Sequence, residues 1–65
     1  MNYQKIFCVN HVGKNLLIVG FNQEVKWQFR AVTQEGKVVK EVSFLATAEE
    51  AEKQGYQWII DNLPV

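Results

Sequence analysis

The sequence predicts an α+β fold: an antiparallel sheet of three to four strands with one C-terminal α-helix packed on one face. Three observations lead there. Runs rich in β-branched and aromatic residues alternate with short stretches bearing Gly and Asn, the pattern of a hairpin series. A helix-start signal, Thr47-Ala48-Glu49-Glu50, precedes the last segment. Finally, 65 residues of which 48% are apolar suffice for one core, so residues 1–65 form a single domain.

The first strand is expected at Gln4–Val12 and the second at Leu16–Phe21. His11-Val12-Gly13-Lys14-Asn15 joins them, and Gly and Asn accept the positive φ of a tight turn. The third strand, Val25–Thr33, follows Asn22-Gln23-Glu24; the fourth, Val38–Leu45, follows Gln34-Glu35-Gly36-Lys37. Connections this short make consecutive strands antiparallel neighbours, in the order 1-2-3-4. Centring the last turn on Glu35-Gly36 pairs Trp27 with Phe44, Phe29 with Val42 and Thr33 with Val38 on one face. It also sets Arg30 opposite Glu41 on the other, a cross-strand pair contributing about 0.2–1 kcal/mol. A slip by one residue would oppose Arg30 to Lys40 and exchange the two faces. Lys40 then lies beside Ala31, its head in water.

The helix opens with Thr47 as N-cap and Glu50 three residues on, a capping-box pattern whose acidic side chains meet the positive helix end. Ala48, Ala51 and Gly55 make a small-residue face, continued by Trp58 or Ile59 and then by Asn62 and Leu63. Gly is about 1 kcal/mol worse than Ala in a helix interior. Gly55 therefore marks either a close approach to Trp27 or Phe44 or a break in the helix. Pro64 is a stop signal.

Catalytic chemistry finds no constellation in this chain. Cys8 is the only cysteine, so no intrachain disulfide forms, and an unpaired thiol fits a reducing, cytoplasmic setting. His11 and Cys8 stand three apart in a strand and point to opposite faces, and no second His or Cys completes a metal site. Ser43 and Thr33 lack a base in any recognisable motif, no glycine loop cradles a phosphate, and Glu49, Glu50 and Glu52 read as a solvated helix face. No enzyme, cofactor or metal is expected. The N-terminus lacks the pattern of a signal peptide. Leu16–Phe21 is the longest apolar run and is far too short to span a bilayer.

Charge and surplus apolar surface say more about partners. Residues 1–46 carry six basic against three acidic side chains, a balance of +3, while residues 47–65 carry one against four, a balance of −3. Lys26, Gln28 and Arg30 alternate with Trp27 and Phe29 and so line the exposed sheet face, where such a row would touch phosphates or acidic partners. Leu16-Leu17-Ile18-Val19 is apolar on both faces, and Val32 and Val39 pair on the face turned away from the helix. One helix covers one face of a sheet, so these side chains call for another cover: a second copy, a protein partner, or a curl of the sheet itself. The expected contact residues are thus Val32, Val39, Lys26, Gln28 and Arg30. The leading expectation is a small non-enzymatic interaction domain, binding protein or forming a homodimer through its sheet. The alternative is a nucleic-acid-binding module.

The order Trp27-x-Phe29-Arg30, Gly36-Lys37, Phe44, Thr47, Glu49-Glu50-Ala51 resembles the AP2-like DNA-binding modules at the N-terminus of phage-type integrases, over about residues 25–60. The resemblance implies a β-β-β-α plan whose sheet enters the DNA major groove. Transferred to the matching positions here, it nominates Lys26, Gln28, Arg30 and Lys37 as DNA contacts.

Overall fold

The computed structural model describes residues 4–64. Four strands, β1 (Lys5–Val12), β2 (Asn15–Asn22), β3 (Lys26–Val32) and β4 (Val38–Leu45), are followed by one helix, α1 (Ala48–Asn62). The strands form a single antiparallel sheet in the order β1-β2-β3-β4, and α1 packs on one face of it. This is the expected α+β architecture, and every strand end lies within one residue of its expected position.

Turn chemistry closes the hairpins locally. Gly13 (φ 64°) makes the two-residue turn between β1 and β2, and Gly36 (φ 89°) serves the turn before β4, conformations that residues with a Cβ adopt only under strain. Between β2 and β3, the Asn22 side chain accepts from the Glu24 amide at 2.8 Å, an Asx-type turn.

The β3–β4 register is the expected one in its middle and departs from it at both ends. Phe29 pairs with Val42, Arg30 with Glu41 and Ala31 with Lys40. Trp27, however, pairs with Leu45 rather than Phe44, and Val38 pairs with Val32 rather than Thr33. Two bulges in β4 cause this. At the first, Phe44 takes φ 63° and its amide donates to the Val25 carbonyl at 2.7 Å. The extra residue breaks the alternation, and Phe44, expected in the core, is 71% exposed. At the second, Val39 is the extra residue, so the expected Val32–Val39 pair is replaced by Val32–Val38. Thr33 leaves the ladder for the turn, its carbonyl accepting from the Gly36 amide and its hydroxyl from the Lys37 amide.

Helix α1 buries Ala48, Ala51, Gly55 and Ile59, a stripe at the three- and four-residue spacing of one helix face. It meets Val12, Leu17, Val19, Phe29 and Ala31 of the sheet, with Trp27, Val42, Leu45, Trp58 and Leu63 closing the margins. Gly55 is the point of closest approach, and the helix runs through it unbroken. A Cβ there would overlap Leu17 Cδ1 and stand 3.0 Å from the Phe29 ring, so its neighbours are Leu17 and Phe29 rather than Trp27 or Phe44. The small residue is needed because two bulky side chains already fill the space beneath it. Thr47 caps the helix through its hydroxyl, which accepts from the Glu50 amide at 3.0 Å. Only half of the capping box forms, since the Glu50 carboxylate takes the Gln54 side chain instead, at 2.8 Å. At the other end, buried Asn15 donates to the Pro64 carbonyl at 2.8 Å and ties the segment after α1 to the first turn.

Candidate interaction surface

Pairing and parity decide which side chains face away from α1. In β2, Leu17 and Val19 lie in the core, so Leu16, Ile18 and Gly20 face the opposite side. The register carries this across the sheet in rows: His11, Leu16, Val32 and Val38; then Val9, Ile18, Arg30 and Glu41; then Ile6, Gly20 and Gln28. The two valines that flank this face, Val9 and Val38, are each 50% exposed, and Ile6 is 58% exposed. Leu16, Ile18 and Val32 between them are half-buried. Together they form an apolar patch that runs across the sheet through neighbouring register positions. Of the expected apolar contacts, Val32 belongs to it, and Val38 takes the place in the row expected for Val39. The exposed Ile6 and Val9 of β1 complete it; simple alternation sets these two on opposite faces, and the irregularity at Phe7 brings them to the same one.

The basic row is not brought together as expected. Lys26 is exposed, at φ 65° in the first position of β3. Gln28, expected on the exposed face, is fully buried: the Ser43 hydroxyl donates to its Oε1 at 3.1 Å, while its Nε2 has no hydrogen-bond partner among the described residues. Arg30 is half-buried and its guanidinium bonds the Glu41 carboxylate. That pair spends a positive charge inside the sheet's own ladder instead of presenting it to a phosphate. Lys37 and Lys40 are exposed on the β3–β4 hairpin.

Cys8 and His11 do fall on opposite faces, Cys8 beside the helix and His11 on the open side with Leu16. The Cys8 thiol lies 3.6 Å from the Glu52 carboxylate, which also accepts from the Asn10 side chain at 2.9 Å. Burial pushes the Cys8 thiol above its ordinary pKa, and the Glu52 charge adds to the rise, because both disfavour a thiolate. A thiol held protonated is a poor nucleophile. Among the described residues no group of three His, Cys, Asp or Glu side chains is placed to hold a metal ion, and no helix is long and apolar enough to cross a membrane. Comparison with models of known protein families, with curated proteins and with solved structures finds no match for this chain.

Proposed function

We propose that this chain is a small non-enzymatic interaction domain that binds protein, a second copy of itself foremost, through the sheet face opposite α1. The observation that carries this reading is the continuous apolar patch of Ile6, Val9, Leu16, Ile18, Val32 and Val38. A two-fold packing of this face on itself sets apolar rows against apolar rows, the self-complementary arrangement of an isologous dimer. Sedimentation velocity across a wide concentration range tests it. The expected result is a concentration-dependent dimer that Val38→Lys weakens about tenfold or more, because the substitution places a charge within the apolar contact. A protein that remains monomeric at the highest concentrations, and captures no partner that Val38→Lys releases, ends the proposal.

A second reading is nucleic-acid contact through the β3–β4 hairpin and the turn before it, favoured by the exposed Lys26, Lys37 and Lys40. The engagement of Arg30 with Glu41 and the burial of Gln28 leave it fewer contacts than the full row would give. Binding of this kind falls steeply with salt. Failure to retard a duplex at low salt, or retardation unaffected by Lys26→Ala, removes it.

A further inference from the structure

Phe44 is the residue the fold explains least. Of the four phenylalanines, Phe29 lies in the core, while Phe7 and Phe21 pack edge-on against Trp27, with ring centroids 5.9 and 5.2 Å away. Phe44 makes no ring contact among the described residues and is 71% exposed, the highest value of any large apolar side chain among them. Its backbone is left-handed, at φ 63°, and so is that of Lys26, at φ 65°. Among the described residues these are the two left-handed positions that glycine does not occupy. A β-carbon makes that conformation costly, and a bulky ring makes it more so. The hydrogen bond from the Phe44 amide to the Val25 carbonyl, at 2.7 Å, ties the two positions into one corner of the sheet. That corner presents an aromatic ring and an ammonium group to solvent. Strain of this kind persists only where the surroundings hold it, and it gathers at sites of binding.

Charge differs between the two edges of the sheet. Glu49 and Glu52 lie beside β1. At the β4 edge, Arg30 and Glu41 answer each other. The other charged side chains between residues 24 and 45 are Lys26, Lys37 and Lys40 against Glu24 and Glu35, all exposed, with both of these carboxylates in turns. Lys37, Lys40 and Phe44 follow one another along β4 over roughly 20 Å at the rise of a strand. Resting on the nucleic-acid reading above, we infer that this edge takes a single strand: Phe44 stacks on one base, and Lys26, Lys37 and Lys40 hold neighbouring phosphates. An unpaired base offers a flat face to the ring, and stacking of this kind accepts any base. A duplex keeps its bases within the helix and leaves only its phosphates for the lysines. An added peptide strand is the poorer occupant, because the two bulges, Lys40 and the left-handed Phe44 guard this edge against pairing. An acidic protein segment would answer the lysines and leave the ring without a flat partner.

The test is fluorescence anisotropy at low salt with three labelled strands: an oligothymidylate, its duplex with oligoadenylate, and an abasic strand of the same length. The abasic strand is expected to bind about tenfold more weakly than the oligothymidylate, the share of one stacked base. Phe44→Asn should lower oligothymidylate binding by the same factor and leave the duplex unchanged, and Phe44→Tyr should restore it. Lys37→Ala, Lys40→Ala and Lys26→Asn, the last chosen to keep the left-handed backbone, should each weaken all three strands and reduce the single-strand salt slope by about 0.7. Equal affinity for the oligothymidylate and the abasic strand overturns the inference and leaves phosphate contact standing, as does a folded Phe44→Asn that binds the oligothymidylate as the parent does. The abasic comparison uses the parent protein, so it decides even if Phe44→Asn fails to fold. No response from any of the three strands ends the nucleic-acid reading and this inference with it. Polyglutamate bound as tightly as the oligothymidylate makes the edge a contact for acidic protein and overturns the inference as well.

Discussion

Replacing Gly55 by Ala sets helix propensity against packing, and the structure says which wins. In an exposed helix interior the change would stabilise by about 1 kcal/mol. Here the new methyl would overlap Leu17 Cδ1 and stand 3.0 Å from both Cγ and Cδ1 of Phe29. Leu17 and Phe29 are each 1% exposed, so neither has solvent to move into, and the ring atom nearest its own backbone cannot swing away. Overpacking of this kind costs typically 1–3 kcal/mol. The net expectation is a loss of about 1 kcal/mol, a fall of roughly 4–8 °C in Tm for a domain of this size. Thermal unfolding followed by circular dichroism, with urea titration as a check, reads it directly. A companion substitution locates the cause. Leu17→Val removes the overlapping methyl, so Gly55→Ala should be less harmful, or stabilising, in that background, with a coupling of 0.5 kcal/mol or more. If Gly55→Ala raises the midpoint in the parent protein, or the two substitutions are strictly additive, the close approach of helix and sheet is not what requires glycine at this position.

Three further outcomes follow from the same packing. Gln28 is fully buried and its Nε2 is unpaired among the described residues, and such a group costs about 1–3 kcal/mol in lost hydration; Gln28→Met should therefore leave the urea midpoint unchanged or raise it, and a large loss would mean that the amide has a partner. Phe44 is 71% exposed at φ 63°, so Phe44→Asn, which tolerates that conformation, should change stability by less than about 1 kcal/mol, against the roughly 3–5 kcal/mol expected of a core Phe→Ala change such as Phe29→Ala. Cys8 has a folded-state pKa above its unfolded value, from burial and then from Glu52. Its contribution to stability is complete below the unfolded thiol pKa and is lost as pH rises toward and through the folded one; denaturation at alkaline pH should show that decline, and Cys8→Ser should abolish it. A folded protein whose thiol reacts with a disulfide reagent at neutral pH as fast as a free cysteine would contradict the shift.

Much of this protein is written locally. Alternation of apolar and polar residues, Gly13 and Gly36 at the turns, and Thr47 three residues before Glu50 specify four strands and a capped helix without reference to anything distant. Opposite charges at Arg30 and Glu41 mark the centre of the last hairpin, and the structure pairs them. What escaped is everything set by the ends of β4. Period-two reasoning assigns Phe44 to the core and Val39 to Val32, but a bulge adds one residue and reverses the parity of all that lies beyond it. Nothing in the local sequence announces that insertion.

The chain's own residues therefore determined the element order, the strand order and the small-residue stripe on which the helix rests, because each follows from neighbours a few positions apart. Only the assembled structure decided that Leu17 and Phe29 are the residues beneath Gly55, that Gln28 is enclosed while Phe44 is not, and that a groove opens beside β1. These features depend on where a helix of fixed width comes to rest over four twisted strands. That position is settled by the volumes of side chains from three separate elements meeting at one point, a sum that no single stretch of sequence contains.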